Sequence, residues 1–391
     1  MKSKFDIQNS PLVAIWEINH PHRSAGVVPS ADEVCASGNF PTDTTIDVEQ
    51  PDDFELTMHE AEKLIRDIAE LAPPIFTITG SDPLKRRDLF PLLQYAVGRG
   101  LHPVVACTAS PLLNRNAVAE LKHAGASRLS LSLDGSTPEL HDLIAGVHGS
   151  YARTIDAIHW ANEWRLPVQI TTHVSKDNLH ELPNIAALIR GFKVMLWTVA
   201  FPVPTDKSDM EHMPSAREFE QTFAILHKLA QQVPFKIKTV EAQHYRRHVL
   251  QQKAKERTDK LWRSQSFSEG IPGVLPVNEA MATIFISSTG EVSPEPALKM
   301  SAGNIRVKKL VDIYRKSELF TSLRDPANLK GKCGECGFHD VCGGSRARAL
   351  VINGDLFQED ATCIYQPGSQ ARVRNQEAPE LPPLEAAVEE P

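Results

Sequence analysis

Two hydrophobic patterns alternate along the first half of this chain, and the alternation restricts the fold more than any other feature of the sequence. Short apolar runs rich in β-branched residues predict strands at Leu12–Ile18, Ile75–Gly80, Pro103–Thr108, Arg128–Asp134, Val168–Val174 and Val194–Val203. The amphipathic segments between them predict helices at Met58–Leu71, Leu89–Gly98, Asn116–Ala124, Ser150–Trp164 and Leu179–Arg190. Strands joined by helices form a parallel sheet, which is either an open doubly wound sheet or a barrel. In both forms, ligands lie at the carboxyl ends of the strands.

The alternation ends near Pro202, and the second half of the chain has a different predicted organisation. A proline-containing connection leads into a long predicted helix at Ala216–Gln232. A Thr-Gly turn between Thr283–Ser288 and Glu291–Ser293 predicts a hairpin. A further helix is predicted near Val307–Leu323, directly before a cluster of cysteines.

Composition and charge exclude several classes of partner. The net charge of −7 is unlike that of nucleic-acid-binding proteins, which need a concentrated basic face, so no nucleic acid is expected. The densest basic segment, His244–Arg263, is interpreted as a solvated helix face or, alternatively, as a docking surface for an acidic group. No secretory signal and no membrane helix of roughly 20 apolar residues is found, so a cytoplasmic protein is expected. In such a protein, clustered cysteines more often hold metal than form disulfides.

Four of the six cysteines are clustered in the last quarter of the chain. Cys333, Cys336 and Cys342 follow the spacing Cys-x2-Cys-x5-Cys, and Cys363 completes a set of four. Four thiolates suit either a tetrahedral zinc ion or a cubane iron–sulfur cluster. The two glycines after Cys342 allow close backbone approach, and a helix predicted directly after them points its amides toward the site. Amide hydrogen bonds to sulfur raise the reduction potential of iron–sulfur clusters, and the choice between zinc and a cluster depends largely on the resemblance described next.

The cysteine segment resembles a known family. Residues 332–349, KCGECGFHDVCGGSRARA, are similar to the auxiliary-cluster region of radical S-adenosylmethionine (radical SAM) enzymes of the SPASM/twitch branch. This branch includes maturases of peptide-derived cofactors and decarboxylases of the haem pathway. The similarity also includes LVAIWEI (Leu12–Ile18), SLDGSTPELHDLI (Ser132–Ile144), KTVEAQHYRR (Lys238–Arg247) and SAGNIRVKKLVDIY (Ser301–Tyr314). The resemblance implies a partial (β/α)6 TIM-like barrel followed by a small twitch-like domain with one auxiliary [4Fe-4S] cluster.

The resemblance also suggests a division of the chain into parts. We expect an N-terminal extension (1–10), a partial α/β barrel (11–215), a helical connecting region (216–282), a SPASM/twitch-like cluster domain (283–366) and a disordered tail (367–391). The tail is rich in Pro, Glu and Ala, a composition that is typical of disorder.

The chain departs from the family where relatives hold their catalytic cluster. Family members follow the first strand with Cys-x3-Cys-x2-Cys, and the resemblance places His22, Gly26 and Pro29 at these three positions. Glycine and proline have no ligating side chain, and a single histidine cannot hold a cubane in place. Only Cys35 and Cys107 lie outside the set of four cysteines. A degenerate catalytic site is therefore predicted, and binding of S-adenosylmethionine is left open.

Other candidate ligand-binding residues follow the second, fourth and fifth predicted strands. They are Gly80, Ser81, Asp82, Ser132, Asp134 and Thr172. The first three stand where the family has Gly-Gly-Glu, a motif that meets the methionine amino group of S-adenosylmethionine. Ser132 and Asp134 stand where relatives contact the nucleoside, although Asp134 is equally consistent with a simple turn. Thr172 leaves the fifth strand and is a candidate for lining a ligand pocket.

Two histidine pairs have spacings that metal sites use. His20 and His22 are interpreted as part of a polar surface loop, because histidines are common in loops. His244 and His248 have the i, i+4 spacing of a helical metal pair, with Glu241 one turn earlier. A third ligand is lacking, so this pair is interpreted as an exposed helix face.

Two functions from different classes follow. The first is a degenerate radical SAM-like protein that no longer cleaves S-adenosylmethionine, keeps one [4Fe-4S] cluster for structure or electron transfer, and serves an active radical SAM relative as partner or regulator. The alternative is an enzyme that modifies a peptide or tetrapyrrole-like substrate through altered chemistry at the same strand ends. A zinc-stapled binding module is a third hypothesis.

Overall fold

The fold is built on one ten-stranded sheet. The computed structural model describes residues 6–20, 54–205, 208–256 and 279–368. The strands are β1 (Val13–Glu17), β2 (Ile75–Thr79), β3 (Pro103–Ala106), β4 (Arg128–Ser132), β5 (Val168–His173), β6 (Val194–Ala200), β7 (Lys236–Val240), β8 (Thr283–Ile286), β9 (Glu291–Ser293) and β10 (Gly303–Asn304). Their order in the sheet is β10-β9-β8-β1-β2-β3-β4-β5-β6-β7.

The strand order distinguishes the two sheet types that the sequence leaves open. β1 to β7 are parallel and lie side by side in chain order. A doubly wound sheet reverses its strand order at a switch point, whereas a barrel keeps it. The fold is therefore the predicted α/β type with a partial barrel. On the other side of β1, β8 pairs in parallel, and β9 and β10 continue the sheet in antiparallel fashion.

Thirteen α-helices lie within the described ranges, and most of them connect the parallel strands. They are α1 (Met58–Leu71), α2 (Leu89–Gly98), α3 (Arg115–His123), α4 (Pro138–Ala145), α5 (Ser150–Glu163), α6 (Leu182–Arg190), α7 (Ala216–Leu229), α8 (His244–Glu256), α9 (Glu279–Ala282), α10 (Leu310–Lys316), α11 (Glu318–Leu323), α12 (Gly331–Gly334) and α13 (Arg346–Asn353). The starts of α1 and α7 are set by capping boxes. In α1, the Thr57 hydroxyl accepts from the Glu60 amide, and the Glu60 carboxylate accepts from the Thr57 amide.

The helices cover one face of the sheet with apolar side chains. Alternate strand residues such as Trp16, Phe76, Leu131 and Trp197 are at most 1% exposed and belong to one core with the helices. Successive side chains of a strand point to opposite faces, so the remaining strand residues lie on the other face. Full burial of each large apolar side chain contributes about 1.5–3 kcal/mol, which makes this core the main source of stability.

On the other face of the sheet, the ends of β4 to β7 carry polar side chains. Ser132 pairs with Thr171, Thr171 with Thr198, and Thr198 with Lys238, so these four side chains share one face. Lower on the same face, Gln169 donates a hydrogen bond to the Thr198 hydroxyl at 3.2 Å. A polar face inside a partial barrel provides hydrogen-bonding groups to a ligand held there.

Three local predictions need correction. The region predicted as a helical connection contains strand β7, whose alternation of lysines with apolar residues follows the strand period of two. Helix α4 was not predicted. The single helix predicted near Val307–Leu323 is two helices, because Ser317 is extended and caps α11 with its hydroxyl.

No helix within the described ranges combines the length and apolar character that a membrane span requires.

Candidate functional site

Four cysteine side chains surround one cavity in the C-terminal part of the fold. Cys333 lies in α12, Cys336 and Cys342 follow it, and Cys363 comes after α13. All four line the same cavity and carry free thiols. The structure therefore brings together the four residues that the spacing predicts as metal ligands.

Close backbone approach shapes the loop after Cys342. Gly344 has φ +67°, and a Cβ at this position would lie 2.7 Å from the Asp360 Cβ and 3.5 Å from the Cys333 Sγ. Only glycine fits here, because any side chain would displace the segment that carries the cysteines. The Phe338 amide donates a hydrogen bond to the Cys336 Sγ at 3.4 Å, an amide–sulfur contact of the kind that iron–sulfur sites use.

A buried ion pair holds the cysteine segment against the sheet. Arg348 and Asp360 have no exposed side-chain area, and the Arg348 Nη2 lies 3.0 Å from the Asp360 Oδ2. Arg348 also donates to the carbonyl oxygens of Pro202 and Glu241, each at 2.6 Å. These residues follow β6 and β7, and the Ser345 hydroxyl donates to the Glu241 carboxylate at 2.6 Å. The cysteine cavity therefore lies at the carboxyl ends of β6 and β7.

A buried cation, Arg346, lies beside one of the four cysteines. Arg346 is 2% exposed, donates to the carbonyl oxygens of Leu356 and Gln358, and has its Nη2 4.0 Å from the Cys333 Sγ. A buried guanidinium requires a nearby anion, and a thiolate at Cys333 would provide one.

Burial raises the pKa of all four thiols, which disfavours the thiolate in the absence of a bound metal. Arg247 opposes this effect by lowering the pKa of Cys336, Cys342 and Cys363. A metal centre would supply the remaining positive charge and deprotonate the thiols.

Unpaired nitrogen atoms at the cavity fit an acceptor-rich ligand. His244 is fully buried, and neither ring nitrogen has a hydrogen-bond partner within the described part of the chain. The Nε of Arg247, also a cavity residue, has none there either. Burial lowers the pKa of His244 to about 4, although the Asp360 charge opposes this shift. Buried donors without acceptors are rare in folded proteins, so these groups fit a ligand with sulfur acceptors.

The four sulfur atoms surround a space instead of meeting at a point. Among the described residues, no three His, Cys, Asp or Glu side chains are placed to hold a single metal ion. Tetrahedral zinc needs four sulfur atoms at about 2.3 Å from one centre. A cubane keeps its four cysteine ligands on separate irons and therefore further apart. Four cysteine thiols around one cavity form a donor set that fits a [4Fe-4S] cluster.

The predicted residues after β2 pack closely against the end of β1. A Cβ on Gly80 would lie 2.1 Å from the Asn19 Oδ1, so glycine is required. Asn19 donates to the Asp82 carbonyl at 2.7 Å, and the Ser81 amide donates to the Asn19 carbonyl at 3.3 Å. Asp82 is 3% exposed, and one of its carboxylate oxygens has no partner among the described residues. Burial raises the pKa of Asp82.

The predicted residues after β4 form a different arrangement. Asp134 is buried and accepts a hydrogen bond from the His173 amide at 2.6 Å, with the His173 Nδ1 at 3.3 Å. The hydrogen bond from the imidazole to Asp134 raises the pKa of His173. Asn178 donates to the Asp134 carbonyl at 2.9 Å. Ser132 is exposed beside them. Asp134 thus orients an imidazole that is 61% exposed at the strand ends.

Thr172 does not share this face. Its side chain is fully buried, its hydroxyl donates to the Leu133 carbonyl at 2.7 Å, and Trp197 donates to it at 2.9 Å. Because strand side chains alternate, Thr172 points toward the helices and joins β4, β5 and β6. It contributes to packing instead of lining a pocket on the polar face.

The predicted degenerate cluster positions, His22, Gly26 and Pro29, lie outside the described residues, as does Cys35. The chain leaves and rejoins the sheet beside the end of β1. The His20 amide donates to the Glu55 carboxylate at 3.1 Å. Arg86, which is 4% exposed, donates to the carbonyl oxygens of Ile18 and Leu56 at 2.9 and 2.8 Å. The residues on both sides of the segment are therefore fixed at the strand ends.

Sequence reasoning missed the buried polar groups around the cysteines. The interpretation of His244 and His248 as an exposed helix face is wrong, because they are 0% and 7% exposed. The His244 ring stacks on Phe219 at 5.5 Å and meets Phe223 edge-on at 4.8 Å. Arg247, in the first turn of the basic segment, is likewise buried, at 4% exposure. The aromatic residues of α7 were the available signal that α8 packs against another helix.

Comparisons with known proteins show which family and fold the chain is similar to. Residues 35–189 match the family model described as "Radical SAM superfamily". The chain is 35% identical over 316 residues to the "AdoMet-dependent heme synthase" of Methanosarcina barkeri, covering 81% of this chain and 89% of that protein. It is 25% identical over 325 residues to the "PqqA peptide cyclase" of Rhodopseudomonas palustris, covering 80% of each.

The crystal structure of Streptococcus suis SuiB bound to precursor peptide SuiA has the same fold. It superposes with a TM-score of 0.65 at 14% identity, covering 91% of this chain and 76% of SuiB.

Proposed function

Because this chain belongs to the radical SAM superfamily, we propose that it is an iron–sulfur enzyme that modifies a tetrapyrrole-like substrate. The observation that carries the proposal is the 35% identity to an AdoMet-dependent heme synthase over most of both chains. Members of this superfamily use a [4Fe-4S] cluster and bind S-adenosylmethionine. The relative that is named for a peptide substrate is more distant, at 25% identity, so a tetrapyrrole is the favoured substrate class.

Cys333, Cys336, Cys342 and Cys363 would hold one auxiliary cluster in a SPASM/twitch-like domain at about 283–366. Their shared cavity and the buried cation Arg346 beside Cys333 support this assignment. Such a cluster supplies one-electron transfer when it is bound. The chain contributes four thiolates, an amide donor to Cys336 and compensating positive charge.

The strand ends would bind S-adenosylmethionine or the substrate. Asp82 has an unpaired carboxylate oxygen in a buried position, which suits it to accept a hydrogen bond from an ammonium group. Asp134 holds the His173 side chain, which is 61% exposed, and Ser132 adds an exposed hydroxyl near the end of β4. These groups would position a ligand next to the cysteine cavity, which adjoins the ends of β6 and β7.

The relatives favour an enzyme over a non-catalytic partner of another radical SAM protein. Proteins named for synthesis or cyclisation match over about four-fifths of this chain, and nothing in these matches supports loss of activity. The chain nevertheless has only Cys35 and Cys107 outside the set of four. A second cluster with three cysteine ligands from this chain is therefore excluded by its composition, and the chemistry at the strand ends must differ from that of relatives that carry the triplet.

Metal analysis and turnover together test the proposal. Iron, acid-labile sulfide and zinc are measured per chain after anaerobic reconstitution, and about four irons are expected. The protein is then incubated with S-adenosylmethionine, a reductant and carboxylated tetrapyrroles, and products are identified by mass spectrometry. Protein that holds iron but forms no tetrapyrrole product would contradict the proposed enzymatic activity. Protein that holds zinc and no iron would contradict the proposed iron–sulfur cluster. About eight irons would show ligands other than those assigned here.

The ligand assignment at the strand ends has its own test. Asp82→Asn keeps the shape of the side chain and removes its charge, so we expect S-adenosylmethionine to bind at least tenfold more weakly in calorimetry. Asp88→Asn is the matched control, because the Asp88 carboxylate, at the start of α2, already has Arg86 as its partner. Equal affinities for wild type and Asp82→Asn would remove Asp82 from the binding site.

A further inference from the structure

One face of helix α8 borders the cysteine cavity. His244 and Arg247 are three residues apart, so they lie on the same side of the helix, and both line the cavity. Both are almost fully buried, at 0% and 4% exposure. The sequence spacing of these two residues does not indicate that they lie against a metal cluster.

These two side chains are oriented by contacts other than the cysteines. The His244 ring is stacked on Phe219 with an interplanar angle of 19°. The Arg247 guanidinium donates to the Gln251 amide oxygen at 2.6 Å and to the Glu220 carboxylate. Their orientation toward the cavity therefore does not depend on a bound ligand.

Each side chain also carries an unsatisfied N–H group. The Nε–H of Arg247 has no acceptor in the described part of the chain. A neutral imidazole always carries one N–H, and neither His244 nitrogen has a partner there. The Asp360 Oδ2 is 3.9 Å from the His244 Nδ1, which is beyond hydrogen-bond distance. The four cysteine sulfur atoms line the same cavity and can accept hydrogen bonds from these donors.

We propose that His244 and Arg247 donate N–H···S hydrogen bonds to the cluster held by the four cysteines and thereby raise its reduction potential. The proposal rests on the cluster assigned under the proposed function. Reduction adds one electron and one unit of negative charge to the cluster, so donors directed at sulfur stabilise the reduced form more than the oxidised form. One face of α8 thus sets the electron affinity of the centre.

The test compares variants of the full chain after anaerobic reconstitution. His244→Phe removes the N–H and keeps a ring between Phe219 and Phe223, whereas His244→Gln keeps an N–H donor. Arg247→Lys keeps the charge and removes the Nε–H. Arg246→Lys is the matched control, because Arg246 is the neighbouring residue and contacts the Val341 carbonyl at 3.4 Å. Iron per chain and the midpoint potential, from reductive titration followed by EPR, are measured for each.

We expect His244→Phe to retain iron and to lower the ratio of reduced to oxidised cluster about tenfold at the wild-type midpoint potential. This change corresponds to a midpoint potential that is lower by about 59 mV for one electron. Arg247→Lys should shift in the same direction, His244→Gln should recover most of the wild-type value, and Arg246→Lys should match wild type. Unchanged potentials in iron-loaded His244→Phe and Arg247→Lys would overturn the proposal.

The remaining outcomes are also decisive. Equal shifts in His244→Phe and His244→Gln would show that packing, not hydrogen bonding, matters at this position. Loss of iron from His244→Phe, His244→Gln and Arg247→Lys alike would assign this helix face to folding and would likewise overturn the inference. Wild-type protein that holds zinc and no iron would remove the cluster itself, which is a failure of the proposed function and is recognised before any variant is made.

Discussion

Burial makes each cysteine around the cavity a poor ligand on its own. The pKa values of Cys333, Cys336, Cys342 and Cys363 are all raised by burial, so the metal-free site holds neutral thiols near neutral pH. A metal must displace these protons, and its binding free energy then becomes folding free energy for the segment around it. Single ligands are therefore expected to matter for both metal content and stability.

Cys336→Ala should remove the cluster and destabilise the C-terminal region, because an open corner leaves one iron without a protein ligand. Iron per chain and thermal unfolding measure both effects. Cys107→Ala is the structural control, since Cys107 is buried at the end of β3 and does not line the cavity. Cys35→Ala should also leave iron unchanged, and a fall in iron there would show that the ligand set is misassigned.

Arg348→Met should destabilise the protein by about 3–5 kcal/mol, because it leaves the Asp360 carboxylate buried without its partner. Unfolding in urea measures the change. Lys330→Met is the matched control, since Lys330 pairs with Asp355 at an exposed position where ion pairs contribute little. A loss for Arg348→Met no larger than that of the control would contradict the role assigned to the buried pair.

At the scale of elements, the start of α1 is fixed both locally and by a distant part of the chain. Glu60 completes the capping box with Thr57 and also accepts two hydrogen bonds from Arg306, which follows β10. Arg306 in turn donates to the Glu55 carbonyl at 3.0 Å. The hydrogen bond from Arg306 is the main reason that the pKa of Glu60 is lowered to about 2, against the opposing effect of burial.

This shift predicts a pH dependence of stability. The folded carboxyl has a pKa of about 2 and the unfolded carboxyl one of 4.5, so the unfolded state binds more protons between these values. The stabilisation is complete above pH 4.5 and is lost as the pH falls toward 2. Glu60→Gln should therefore be less stable than wild type at neutral pH, and the difference should shrink across this window. Urea midpoints over that pH range measure it, with Glu62→Gln on the same helix as control.

The elements differ in how far local sequence determines them. Helices α1 and α2 have the predicted bounds, because apolar spacing, and in α1 also the capping box, act within a few residues. Strand β7 was missed, since a five-residue segment with two lysines gains its stability from pairing with β6.

The cysteine set was predictable from spacing alone. The roles of His244 and Arg348 were not, because they depend on burial by segments about a hundred residues away in the chain.

At the scale of the whole molecule, the barrel and the cysteine region are stabilised by hydrophobic cores of very different size. One large core joins the strands β1 to β6 to their helices. Around the cysteines, the buried apolar groups are two small clusters, one around Leu298 and Leu356 and one around Phe338 and Val341. The cysteine region therefore depends more on its metal and on the Arg348–Asp360 pair than the barrel does.

Removal of metal should therefore unfold the cysteine region before the barrel. After anaerobic chelation, limited proteolysis should cleave within residues 329–366 well before it cleaves within residues 56–205, because metal binding contributes directly to folding in the first segment. Peptide mapping by mass spectrometry shows the order of cleavage. Iron-loaded protein under the same conditions is the control. First cleavage within the barrel would contradict this division of stability.

The position of β1 has a consequence for biosynthesis. β1 lies between β2 and β8, and β8 begins only at Thr283. While the ribosome is still translating the middle of the message, one edge of β1 has no partner, because β8 has not yet been synthesised. Unpaired strand edges are templates for aggregation. The edge of β1 can therefore be covered only after β8 has been synthesised, and until then we expect it to need shielding, for example by a chaperone.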